Sequence, residues 1–488
     1  MDSFLLTHRI TDYLFDIGCR FSPISIRDQM IRGFLITDRL QRAGLINERK
    51  PLLIIGAGVA GATAALVASE RNVPVTLVDR AGRPFLRQAG ATRYISPSLY
   101  DWPAVHWGNL QFPLGSGVQL PLAWREGQAA SIAASWIREL AEKEAKRVRD
   151  RSTNLSLSPL TIIMNCEVVE VERLRHSTPN PTGTITVNFK DVSPDPKKPR
   201  RKFDPAEFSV IVGCSGPGKE ICKAPAGDYE GLAFWEADTL NHENYALTNQ
   251  KAQTLLSGGG DGALQDLIRL VTNCDSPRNI LQVLPAKARR SLASQIRAGE
   301  DAYLRSFIWG LANYDCRSNH KLDSIHRTAV NSVLDQYGAR IQKTIDEILR
   351  ENVLEGRILM VHPCDHFTNS YPVNRAIAHL LIEFVRRRYR VELVRPFTTV
   401  QKVWNPNHNC ETDDDQCSKS AHMVQFATAR CQHIKDRDFK PFPRIETPPP
   451  LFDLIVLRHG VASNDLFGER PYGNHRQILP HHIDRDWY

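Results

Sequence analysis

Four apolar residues, Leu52-Leu-Ile-Ile55, run straight into Gly56-Ala-Gly-Val-Ala-Gly61, and this junction constrains the fold more than any other stretch. A short, continuously apolar run bounded by glycine is the pattern of a strand buried on both faces, as in a parallel sheet. Residues 60–70 are small and helix-forming, and Val73-Pro-Val-Thr-Leu-Val-Asp79 supplies a second apolar run. Together they predict a strand, helix, strand unit of ordinary length, closed by Asp79, eighteen positions after Gly61.

In that setting the three glycines have separate tasks. Gly56 permits a tight turn, Gly58 lets a pyrophosphate approach the backbone, and Gly61, next to Ala60, allows close helix–strand packing. The N–H groups of the helix's first turn would receive the negative charge. Asp79 would take the ribose hydroxyls and repel a 2'-phosphate, which disfavours NADP here, with the neighbouring Arg80 as the counterweight. The turn therefore predicts an adenine dinucleotide, FAD or NAD, against the plainer alternative of a tight turn without a ligand.

The 488 residues, 42% hydrophobic and 24% charged, are those of a folded chain large enough for two packed domains or one extended α/β unit. Residues 1–48 read as an N-terminal helical segment and 49–275 as the dinucleotide-binding domain. Residues 276–352 read as an α-rich insertion or cap, and 353–488 as a mixed C-terminal α/β region returning to the main sheet. The net charge of +8 concentrates in residues 143–151, 197–202 and 386–390. Each run reads as a solvated surface rather than a nucleic-acid or anionic-membrane contact. Ten scattered cysteines form neither a disulfide framework nor a Cys-x2-Cys or Cys-x4-Cys redox pair. No run of eighteen apolar residues and no basic, then apolar, leader occurs, so the expected location is the cytoplasm.

Farther along, Asn165-Cys-Glu-Val-Val169 reads as a strand, and Val210-Ile-Val-Gly-Cys-Ser-Gly-Pro217 as a strand ending in a glycine turn. In this order, after the opening fingerprint, the chain resembles the two-dinucleotide-binding-domain flavoproteins, the FAD/NAD(P)-binding oxidoreductase superfamily. The resemblance implies a Rossmann-like three-layer α/β fold holding FAD, with adenine contacts from the strand that contains Val168. Ser215 and Gly216 stand where the family has threonine and glycine. Gly258-Gly-Gly-Asp-Gly-Ala263 admits two functional readings. One is a second nucleotide turn for NAD(P)H, although no strand ending in an acid is evident between Cys274 and Leu292. The other takes Gly260-Asp261 as the family's closing Gly-Asp pair, whose carboxylate accepts a hydrogen bond from the flavin ribityl chain. A purely structural loop is the third reading.

Several side chains are candidates for chemistry beside the cofactor. The stretch 93–107 is dense in aromatic and imidazole groups, with Tyr100, Trp102, His106 and Trp107 as candidates against a plain packed loop. His366 with Asp365, in a loop after the apolar run 357–361, is a candidate acid–base pair, and Asn374 and Arg375 open the next helix. His408, Cys410, Cys417, His422, Cys431 and His433 cluster, but their gaps suit structural zinc poorly, and no metal is assigned. Arg458-His-Gly460 resembles the opening of a histidine phosphatase but reads better as a last strand and turn. The predicted activity is FAD-dependent electron or hydride transfer between a small organic substrate and NAD(P)H or another acceptor. The alternative is a non-catalytic FAD- or NAD(P)-binding sensor.

Overall fold

The computed structural model describes residues 3–18, 25–97, 102–103, 111–112, 120–150, 160–197, 199–216, 218–238, 240, 253–305, 316–368, 370–405, 422–429, 450–461 and 466–467. The chain forms two compact units. The first comprises Met1–Pro97, Asn109–Lys219 and Val461–Tyr488, and the second Ser98–Gly108 and Glu220–Gly460. The expected boundary at 275 falls inside the second unit, since the units divide at 219 and 220 and the strand at 254–257 belongs to the second.

The first unit is built on five parallel strands: β1 (Leu14–Asp16), β2 (Leu52–Ile55), β3 (Val75–Asp79), β4 (Leu160–Met164) and β5 (Val210–Gly213). Their spatial order is β1-β5-β2-β3-β4. The segment read as wholly helical thus contributes β1, three residues too short to show any period, held by burial of Leu14 and Phe15. Helix α1 (Ile26–Arg42) follows, started by a capping box between Ser25 and Asp28. Helix α2 (Val59–Glu70) packs on β2, β3 and α1, bringing Gly33 of α1 against the Ala60 carbonyl. Leu53, Val78 and Ile211 share one face of the sheet with the short antiparallel strands Cys166–Val168, Ile185–Val187 and Ala206–Phe208. Side chains alternate along a strand, so buried Ile54, Leu77 and Val212 belong to the opposite face. Helix α3 (Ala129–Asp150) completes the first unit's larger helices.

The second unit repeats the plan with four parallel strands, β6 (Thr254–Ser257), β7 (Ile358–Val361), β8 (Val394–Arg395) and β9 (Leu454–Leu457), ordered β8-β7-β6-β9. Leu256, Ile358, Met360 and Val456 face a helical layer. It contains α4 (Asp261–Val271), α5 (Ala286–Arg305), α6 (Cys316–Asp346) and α7 (Pro372–Tyr389). The alternate residues Leu255, Val361, Ile455 and Leu457 pack instead against an antiparallel sheet that includes Thr398–Trp404 and His422–Thr428. The strand missing after α4 is therefore β7, displaced far along the chain by the helices α5 and α6. Each unit is mixed α/β with a parallel sheet at its centre. No helix among the described residues is long and apolar enough to cross a membrane.

Candidate nucleotide-binding turns

In each parallel sheet the chain runs from one strand to its neighbour on one side, and later returns to the other side of the first. In the first unit β2 leads to β3 and β4, while β5 lies on the opposite flank; in the second β6 leads to β7 and β8, with β9 opposite. Such a reversal leaves a crevice at the carboxyl ends of the strands, where open α/β sheets bind ligands. Both glycine-rich turns fall at these points.

Gly56 has φ of 114°, and a Cβ there would collide with the carbonyl of Cys214, the residue after β5. Gly58 caps α2 in an extended conformation, and nothing lies within 4 Å of where its Cβ would stand. The same openness holds at Gly216, φ 73°. Asp79 Oδ2 accepts from the Ala57 N–H at 2.5 Å and Oδ1 from the Ala81 N–H at 2.7 Å, so the carboxylate ties β3 to the turn. The Ser215 hydroxyl has no hydrogen-bond partner. Asp16, at the end of β1, accepts from the Gly18 N–H at 2.7 Å, and Gly18 packs against Ser215. An open cradle of glycine backbone, an unspent hydroxyl and a carboxylate at the strand end suit a dinucleotide. Gly56, Gly58, Ala60, Gly61, Asp79, Ser215 and Gly216 gather here. Arg80 is largely exposed and lies 3.5 Å from Glu167, while buried Val168 belongs to an antiparallel pair with Phe189.

The second turn copies the backbone of the first. Gly258, φ 140°, would collide through a Cβ with the carbonyl of Arg458 after β9, and Gly260 caps α4 as Gly58 caps α2. Ala263 stands where Gly61 does. The surroundings differ. The Thr368 carbonyl is 3.6 Å from where a Gly260 Cβ would lie, and Thr368 donates its N–H to the Gly259 carbonyl at 2.8 Å. Asp261 Oδ1 accepts from the Tyr371 N–H at 2.9 Å and from Asn374 Nδ2 at 2.8 Å, and Oδ2 accepts from Gln265 at 2.8 Å. Tyr371 caps α7, so one carboxylate serves the first turns of two helices. Burial nevertheless pushes its pKa above the usual carboxylate value, outweighing the bonds that pull it down.

His362 occupies the register position of Asp79: Val78 pairs with Ile55 and Val361 with Ser257, and the two residues follow directly. Its imidazole is 3% exposed, packs on Gly259 with its ring against Phe367, and leaves Nδ1 without a partner. Burial depresses its pKa to about 4, so it is neutral at pH 7. On the other flank, Ser257 Oγ lies 2.8 Å from His459 Nε2, and burial lowers the His459 pKa too. None of Asp16, Ser257, His362 or His459 was singled out from sequence for this place, because each is ordinary until β5 and β9 are known to flank β2 and β6.

His366 is buried and bonded through Nδ1 to Asp365 at 2.9 Å, with His320 across its ring. Around it, Asp323 accepts from His379 at 2.8 Å and from Arg327 at 2.9 Å, and Arg375 lies 3.8 Å away. These basic neighbours hold the Asp323 carboxyl far below its usual range despite its burial. Arg375 is thereby committed inside the protein rather than free for an anion. Trp102 is part of the second unit's apolar core, whereas Tyr100, His106 and Trp107 lie outside the described residues. Of the Cys/His cluster only His422 is described, and no group among the described residues is arranged to hold a metal. Arg458 is spent on Asp266, 2.7 Å away, in a buried network with Arg269 and Asp238. In the exposed basic run at 197–202, Arg200 and Arg201 bond to carbonyls, and Arg201 pairs with Asp191 at 3.1 Å. Burial lifts the Cys166 thiol to about 11 and raises those of Cys214, Cys222 and Cys274.

Sequence comparison matches no family model and no curated protein. Solved structures that the chain matches include T. acidophilum thioredoxin reductase, 10% identical over 87% of this chain and 83% of its own, TM-score 0.35. Others are a bacillithiol disulfide reductase from Staphylococcus aureus, 9% identical over 86% and 78%, TM-score 0.37, and a complex of the protein OTEMO with FAD and NADP, 9% identical over 86% and 71%, TM-score 0.34. Likeness this loose assigns neither cofactor nor activity.

Proposed function

We propose that the chain is a flavoprotein oxidoreductase that holds FAD at the first turn and a nicotinamide dinucleotide at the second. The observation that carries this reading is the open turn at Gly56 and Gly58, bounded by Asp79 and the unpartnered Ser215 hydroxyl. Backbone N–H groups at the start of α2 would receive the pyrophosphate, and Asp79, by exchanging a backbone bond, would accept from the ribose. Bound there, the flavin supplies the two-electron chemistry; the protein's own part is to orient it and admit a small organic substrate. His366, paired with Asp365, is the candidate proton carrier, and His106 is a second candidate.

The visible spectrum of the purified protein, followed anaerobically through additions of NADH and then NADPH, tests this. A yellow sample that bleaches with either nucleotide is the expected result. A colourless protein that takes up no FAD sinks the reading. A yellow protein that neither nucleotide nor any other donor bleaches supports the non-catalytic sensor.

A further inference from the structure

Two imidazoles flank the second turn, one on each side; the residues in the same register at the first turn are Asp79 and Ser215. His459 is held by Ser257, the residue immediately before Gly258, while His362 lies against Gly259 with Nδ1 buried and unpartnered. Between them begins α4, eleven residues long, whose first N–H groups have no acceptor within the helix. A buried nitrogen without a partner is costly, and an anion at this helix start would relieve it by turning the imidazole into a donor. Both rings titrate near neutrality when exposed, so a phosphate oxygen between them would draw protons onto them.

We propose that the second turn is a proton-coupled phosphate site, in which His362 and His459 become cationic ligands of a diphosphate diester as it binds. The inference rests on the reading of this turn as a dinucleotide site. As neutral groups the imidazoles add no charge of their own beside the buried Asp261 carboxyl, and the ligand supplies the charge that makes protonation favourable. The groups facing His362 are Asp323 from α6, Asp365 and His366 from its own loop, and His379 from α7. The two carboxylates favour the cation and the two histidines oppose it. His459 has the Ser257 hydroxyl as its polar neighbour, and the adjacent Arg458 is turned away onto Asp266. The sign follows: binding takes up protons, so affinity falls as pH rises.

Isothermal titration of NAD into FAD-saturated protein isolates the effect, because both phosphates of NAD are diesters with constant charge across the range. The titration is run at pH 5.5, 6.5 and 7.5 in buffers of differing ionisation enthalpy. The expected result is net uptake of at least half a proton at pH 6.5 and an affinity at least tenfold weaker at pH 7.5 than at 5.5. The double variant His362→Gln, His459→Gln should bind NAD with no uptake and a flat pH profile. NAD binding to the unaltered protein without proton uptake, or uptake unchanged in the variant, overturns the proton-coupled site while leaving the second turn as a dinucleotide site. No NAD binding at any pH, with FAD still bound, overturns that reading of the turn and this inference with it.

Discussion

The two glycine turns share a backbone and differ in what surrounds it. At both, a glycine in the left-handed region lies against the carbonyl of a residue that follows the flanking strand, and a second glycine starts a helix. The first opens on free space beside a carboxylate. The second is approached by Thr368, carries its own buried carboxylate at Asp261, and has an imidazole where the first has an acid. A turn's geometry is thus set by a few glycines and two strands, while its charge, and hence what it accepts, is set by residues distant in sequence. The expected consequence is a first site that holds its ligand constitutively and a second that responds to conditions.

The largest difference should come from breaking each turn in the same way. Gly56→Val places a branched side chain at φ 114° and into the Cys214 carbonyl, a strain of about 1–3 kcal/mol before the collision is counted. Flavin should be lost, by more than roughly a hundredfold in affinity once both costs act. Gly258→Val, matched in geometry, should leave the flavin absorbance intact and remove only NAD binding. Retention of a full flavin spectrum by Gly56→Val would falsify the assignment of FAD to the first turn.

Next in size is the response to acid that an imidazole at the Asp79 position should confer. His362 has its pKa depressed from 6.5 to about 4 in the folded protein, so the unfolded chain binds the extra proton. Its stability contribution is present above pH 6.5 and is lost as pH falls toward 4, by roughly 3 kcal/mol in total. His326, depressed in the same direction, adds to that acid branch. Urea unfolding across pH 4–7 should show a shallower loss of stability in His362→Gln than in the unaltered chain. Parallel curves would show that the imidazole is not buried in its neutral form.

How far these contrasts were legible in the sequence follows from range. The Leu52 to Asp79 unit is local: strand, turn, helix and acid lie within twenty-eight residues, and each announces itself by composition. The second turn was legible only as a string of glycines, because its partner strand β7 lies beyond the helices α5 and α6, and no short window contains both. β1 was missed for a different reason, three residues being too few to show a period. The choice between Asp261 as a ribityl partner and as part of a second turn could not be made without knowing which sheet β6 joins. β6 pairs with β7 and β9, both far along the chain.

Asp261 makes that choice testable. Truncation by Asp261→Ala strands the Tyr371 N–H and the Asn374 amide, a cost of about 1–3 kcal/mol, and should loosen the start of α7. NAD affinity should drop about tenfold, which corresponds to about 1.4 kcal/mol, with flavin content unchanged. Asp261→Asn, which keeps an acceptor for the Tyr371 N–H, should recover part of it. Loss of flavin instead of NAD would return Asp261 to the ribityl role.

The smallest effect separates the two neighbours at the end of β3. Asp79 ties its carboxylate to the Ala57 N–H of the turn and to the Ala81 N–H beyond β3, so its removal unpairs both; Arg80 is exposed and lies 3.5 Å from Glu167. Exposed ion pairs of this kind contribute roughly 0–1 kcal/mol. Arg80→Ala should therefore leave both stability and FAD affinity within about a factor of two to five, the span that such an energy allows. The informative measurement is competition with NADP for the first turn. If Arg80 could offer itself to a 2'-phosphate, its removal would weaken NADP and spare FAD. If Asp79 governs the site by repulsion, NADP is excluded before and after, and only Asp79→Asn admits it.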